Sequence, residues 1–136
     1  MSAQRPVPSS EGRRIVICDY NALLQSVTGL LRMSGYCVFQ AHDGRAAQEL
    51  CIELPEISLL ILNTYGTGID VGDLIRGARA GKPGLPVLHI GSDIPATLPA
   101  DVPTLREPFT PEDLLLAVHA LMPSLAPRTP RLFGAA

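Results

Sequence analysis

Lysine is almost missing from this chain: ten of its 11 basic residues are arginine, and Lys82 is the only lysine. Positive charge is not concentrated either. The formal net charge is −2, and residues 13–122 carry 8 basic against 12 acidic side chains. Nucleic-acid binding usually requires a clustered basic face, so DNA or RNA is not an expected partner. No apolar run approaches the roughly 18 residues of a membrane span. Residues 1–12 are polar and lack the apolar stretch of a secretory signal. Neither insertion into a membrane nor export is therefore expected, and the chain reads as cytoplasmic. Cysteine is scarce and odd in number: Cys18, Cys37 and Cys51 show no CxxC spacing, and each lies in an apolar segment. They are expected to be buried thiols in a reducing compartment. The histidines, His42, His89 and His119, are scattered rather than set at metal-ligand spacing.

What is present suffices for one domain. The chain has 136 residues, 46% of them hydrophobic, which excludes a wholly disordered protein. Five of the 13 prolines fall within residues 1–12 and 123–136. Those two stretches have little periodic hydrophobicity and read as disordered tails around a folded unit at 13–122.

Inside that unit, short apolar runs alternate with helical stripes. Ile15 to Cys18 is β-branched and apolar, a buried strand. Leu23, Val27, Leu30 and Leu31 recur at helical spacing and are closed by Ser34-Gly35. A second strand is expected over Tyr36–Ala41, with a turn at His42-Asp43-Gly44. A second helix follows through Ala46, Ala47, Leu50, Cys51 and Leu54, stopped by Pro55. Ser58–Leu62 is apolar throughout, a strand covered on both faces. Residues Asn63 to Gly68 read as a loop. Val71, Leu74, Ile75 and Ala78 mark a third helix. Val87–Ile90 and Val102–Arg106 are the expected fourth and fifth strands. The last helix opens with Thr110 as N-cap and Pro111 in the first turn, with Glu112 and Asp113 near its positive end.

This alternation predicts an α/β fold, three-layered α/β/α, with a doubly wound five-stranded parallel sheet. One unit breaks the rhythm. Between Gly91 and Glu107 stand Pro95, Pro99 and Pro103, and a proline inside a helix costs about 3 kcal/mol. The fourth helix is therefore expected to be short or irregular.

In such sheets ligands bind beyond the carboxyl ends of the strands. The residues there are Asp19-Tyr20, His42-Asp43, Asn63-Thr64, Gly91-Ser92 and Glu107-Pro108. No nucleophile elbow is present, and Gly66 and Gly68 do not make a phosphate-cradling loop. His89 reads as a packed, hydrogen-bonded sheet residue rather than a catalytic base.

Over roughly residues 13–122 the sequence resembles the receiver domain of two-component response regulators. The resemblance is carried in order by RRIVICDYN, SGYCVFQAHDG, PEISLLILN, LPVLHIGS and REPFTPEDLLLAVHALM. It implies the flavodoxin-like, CheY-like fold with strand order 2-1-3-4-5. In that family an aspartate at the end of the third strand receives a phosphoryl group. An acidic pair after the first strand holds Mg²⁺, and a hydroxyl and a lysine contact the phosphoryl oxygens. The chemistry requires a carboxylate nucleophile, a divalent ion to neutralise charge, and an ammonium.

This sequence departs at each of those positions. The phosphoacceptor position falls on Asn63. One acid, Asp19, remains of the pair, and either member could be the one it represents. The hydroxyl position falls on Gly91, with Ser92 one residue late. Glu107 replaces the lysine, and Thr104 stands at the aromatic switch position. Asn63 then reads as a relic, a ligand-contacting amide, or a polar residue satisfying loop N–H groups. Asp19 could cap the first helix. Glu107 could pair with Arg106 or Arg14. No cofactor is expected, since one carboxylate is a poor Mg²⁺ site, although Asp19, Asn63 and Glu107 together could hold a weak cation.

The expected function is therefore a degenerate, stand-alone receiver-like protein of phosphorelay signalling. It would be a pseudo-receiver, not an enzyme, acting independently of phosphorylation by binding a histidine kinase, another regulator or itself. The alternative is a small-molecule or metal-ion sensor using the crevice at the strand ends.

Overall fold

The computed structural model describes residues 13–18, 22–63 and 68–122, apart from the side chains of Ala22 and Leu23. Asp19 and the two expected tails lie outside the described residues. Strands β1 (Arg14–Cys18), β2 (Cys37–Ala41), β3 (Ile57–Asn63), β4 (Val87–Gly91) and β5 (Thr104–Arg106) form one sheet. Every pairing is parallel, and the order is β2-β1-β3-β4-β5.

Alternation along the strands builds two cores. Ile15, Ile17, Leu59, Ile61, Leu88 and Ile90 point to one face. There they meet α1 (Ala22–Met33) and α4 (Pro111–Leu121), through Leu24, Val27, Leu31, Leu114 and Val118. Val16, Cys18, Leu60, Leu62 and Val87 point to the other face, against α2 (Gly44–Glu53) and α3 (Val71–Ala78). A strand apolar at every position is thus accounted for by helices on both sides. Burying each Ile or Leu contributes about 1.5–3 kcal/mol, so these two layers dominate folding.

Local signals set the helix ends. Gly35 takes φ of 100°, where other residues are strained, and the Tyr36 N–H returns to the Leu31 carbonyl at 3.1 Å. Asp43 caps α2 by accepting the Ala46 N–H at 2.9 Å. Thr110 and Asp113 cap α4 reciprocally, at 3.0 and 3.1 Å. Lys82 donates to the carbonyls of Cys51 at 2.7 Å and Leu54 at 3.3 Å, at the negative end of α2.

The fourth crossover carries no helix. Residues 92–103 make two turns, in which Leu98 N–H reaches Pro95 O at 3.1 Å and Val102 N–H reaches Pro99 O at 3.0 Å. This segment is pinned to both ends of α3. Thr97 Oγ1 donates to Asp70 Oδ1 at 2.9 Å, and Arg79 grips the Asp101 carboxylate at 2.8 and 3.3 Å. Gly72 makes the first contact possible, because a Cβ there would stand 2.8 Å from the Thr97 carbonyl oxygen.

Several expectations change in detail. Asn63 belongs to β3 rather than to the following loop, and β2 starts at Cys37. Strand β5 is three residues long, because Val102 is spent on the turn with Pro99. Cys37 is exposed, not buried; it sits at the start of the edge strand β2, while Cys18 and Cys51 are buried as expected. Burial pushes the Cys51 thiol up to about 12 despite the nearby Lys82 charge.

Candidate functional site

Asn63 and Gly91 end β3 and β4, while His89 in the middle of β4 and Thr104 at the start of β5 lie just behind them. Parallel register sets His89 between Leu62 on β3 and Thr104 on β5, on the sheet face that packs against α2 and α3. Gly91, two residues on, shares that face. His89 is fully buried, and its Nδ1 shares a 3.0 Å hydrogen bond with Thr104 Oγ1. Burial lowers its pKa, because the charged imidazolium would be desolvated. The ring leans toward the strand end: a Cβ on Gly91 would lie 3.2 Å from His89 Cε1 and 3.5 Å from Nε2. The imidazole thus takes the space through which a residue-91 side chain would leave the strand.

Asn63 is 2% exposed, and its Nδ2 donates to the Ile90 carbonyl at 2.7 Å. The amide nitrogen thus engages a strand carbonyl, while the loop that follows, residues 64–67, lies outside the described residues. The same Nδ2 lies 3.8 Å from the position of a Gly91 Cβ. A donor-bearing amide suits this place because a carboxylate has no hydrogen to offer the Ile90 oxygen.

Ser92 and Glu107 are exposed at the rim. The Glu107 N–H reaches Gly91 O at 3.3 Å, continuing the sheet contact past β5, and the Glu107–Pro108 peptide is cis. Glu107 pairs with neither expected arginine. Arg106 donates to Ser92 O at 3.2 Å, and Arg14 donates to Pro55 O at 3.0 Å at the opposite end of the sheet. Among the described residues the ion pairs are Arg76–Asp73 and Arg79–Asp101. Of the combination Asp19, Asn63 and Glu107, the structure places the last two, one buried and one on the rim.

The link from His89 to Thr104 was not legible in the sequence. Its signal was a lone polar residue inside an apolar strand, which demands a partner when buried. Nor were the ties from Asp70, Gly72 and Arg79 to residues 97 and 101 visible, since each joins groups more than 20 residues apart.

No protein-family model matches the chain, and no curated protein does. Solved structures do. The receiver domain of the hybrid histidine kinase CckA is 28% identical, with a TM-score of 0.68 over 82% of this chain and 99% of that one. A response regulator receiver protein from Sinorhizobium medicae WSM419 is 24% identical, with a TM-score of 0.72, covering 85% and 98%. A CheY-like receiver domain protein from Methanospirillum hungatei JF-1 reaches a TM-score of 0.73 at 20% identity, covering 83% and 95%. The fold is thus that of the CheY-like receiver domains of response regulators, the class the sequence resembles. That likeness supports a receiver-like role in two-component signalling.

Proposed function

We propose that this protein is a pseudo-receiver: a non-enzymatic module of two-component signalling that works by binding a protein partner, without being phosphorylated. The partner class is a histidine kinase, another regulator or a second copy of the chain. The observation that carries this reading is Asn63. At the end of β3 stands a buried neutral amide with its nitrogen on the Ile90 carbonyl, and an amide cannot act as the carboxylate nucleophile of phosphoryl transfer.

The surroundings support it. Gly91 brings no hydroxyl, and the His89 ring stands where one would emerge. At Glu107 the charge that would hold phosphoryl oxygens is reversed. The reading needs no Mg²⁺, because the strand-end group is neutral and Glu107 lies out on the exposed rim.

The test is incubation of the protein with acetyl phosphate and Mg²⁺, followed by intact-mass spectrometry. The expected result is no adduct. A gain of about 80 Da on the folded chain, lost on hydroxylamine treatment, would overturn the reading. Asn63→Asp alone is expected to remain unmodified, since Glu107 repels an incoming phosphoryl group.

A further inference from the structure

Beside the strand-end residues, on the α1–α4 side of the sheet, the surface opens into a cavity of about 670 Å³. Val27 and Leu30 of α1 form one wall, and Phe109 and Leu114, before and within α4, form the other. The walls belong to fixed elements. Val27 and Leu114 are buried core residues, and the turn before α4 is held by the Thr110–Asp113 caps and by Glu107 N–H on Gly91 O. Phe109 is partly buried, packed against the core while also lining the cavity. The size, the apolar lining and the few polar groups are those of a small-molecule site.

Charge narrows the occupant. Among the described residues Glu107 is the one ionisable side chain on the lining, and the other polar side chains are the serines Ser26 and Ser92. Arg106, the nearest basic residue in sequence, is turned onto the Ser92 carbonyl, and among the described residues no cation pairs with the carboxylate. An anion, a nucleotide phosphate included, would meet like charge at the mouth. A neutral apolar molecule would gain nothing from Glu107.

We infer that this cavity binds a small organic cation, an amine or amidine carried on an aromatic or aliphatic body. The body packs between Leu30 and Phe109, and the cation sits at the Glu107 carboxylate. The site shares only its rim, Ser92 and Glu107, with the strand ends. It goes beyond the partner-binding role and does not rest on it, since the mass-spectrometric assay leaves it untouched.

The test is a two-dimensional amide NMR titration of the full chain with naphthylmethylamine, naphthylmethanol and naphthoate. The amine is expected to give saturable shifts at residues 26–30, 92 and 107–114, with a dissociation constant on the order of 1 mM or tighter. The alcohol should bind more weakly and the acid least. Glu107→Gln should weaken the amine about two- to fivefold, the range for an exposed ion pair, and bring it level with the alcohol. Ser26→Trp, at an exposed position on the mouth, should remove the amine's shifts. No saturable shift with the amine, shifts mapping elsewhere, or equal binding of amine and acid each overturns the inference. So does an amine-to-alcohol ratio unchanged by Glu107→Gln.

Discussion

If the His89 ring is what keeps residue 91 a glycine, the two positions must be energetically coupled. A Cβ on Gly91 would stand 3.2 Å from Cε1 of a fully buried ring that is tied at Nδ1 to Thr104. Carbon atoms prefer at least about 3.5 Å, so the ring must shift and loosen its hydrogen bond. Such overpacking costs about 1–3 kcal/mol, offset by roughly 0.5–1 kcal/mol from the lost freedom of glycine in the unfolded chain. Gly91→Ala should therefore destabilise by about 0.5–2 kcal/mol. His89→Ala removes buried packing and leaves Thr104 without its ring partner, for roughly 2–4 kcal/mol. In the double variant the new methyl enters vacated space, so the losses should not add; a coupling of about 1–2 kcal/mol is expected. Urea unfolding of the four proteins reads this directly. With a slope of about 1–3 kcal/mol per molar for a domain of this size, the coupling moves midpoints by about 0.3–2 M. Additivity within about 0.5 kcal/mol would refute the steric argument. The same reasoning makes any side chain at position 91, a hydroxyl-bearing one included, costly to introduce while His89 remains.

Stability should also depend on pH through His89. Its folded pKa lies below the ordinary 6.5, so the unfolded chain binds the proton more readily. Stability is then intact above 6.5, falls as pH drops through 6.5 toward the depressed folded value, and levels off below it; His89→Met should flatten this slope in pH-dependent melts. Gly72→Ala should destabilise by about 1–3 kcal/mol although alanine favours helix, because a Cβ would lie 2.8 Å from the Thr97 backbone oxygen; an unchanged melting temperature would contradict the described packing. Lys82→Met should cost about 0.5–1.5 kcal/mol through the lost bonds to the α2 carbonyls, measured by urea unfolding. In native-state alkylation Cys37 should react first, while Cys18 and Cys51 wait for unfolding; rapid labelling of Cys51, whose thiol is pushed up to about 12, would contradict its burial.

Most of the architecture was legible because it follows from local patterns. Runs such as Ile15–Cys18 and Leu59–Leu62 are apolar at every position, which only a sheet covered on both faces explains. The stop at Gly35 and the start at Thr110 rest on backbone chemistry within a few residues. The prolines of 95–103 announced the missing fourth helix. Element ends were less legible: whether Asn63 ends β3 or begins a loop depends on whether β4 reaches far enough to pair with it, as Ile90 does. The exposure of Cys37 was hidden because an apolar segment does not show which of its side chains the helices cover.

By itself the sequence determined what residues 63, 91 and 107 can offer, since an amide, a glycine and a carboxylate have fixed properties whatever surrounds them. The tertiary structure alone decided what surrounds them. His89 meets Thr104 and overhangs Gly91, Asn63 turns to Ile90, and a cavity opens between α1 and α4. Those contacts join residues brought together only when five strands lie in register, and no local pattern encodes distances across a sheet.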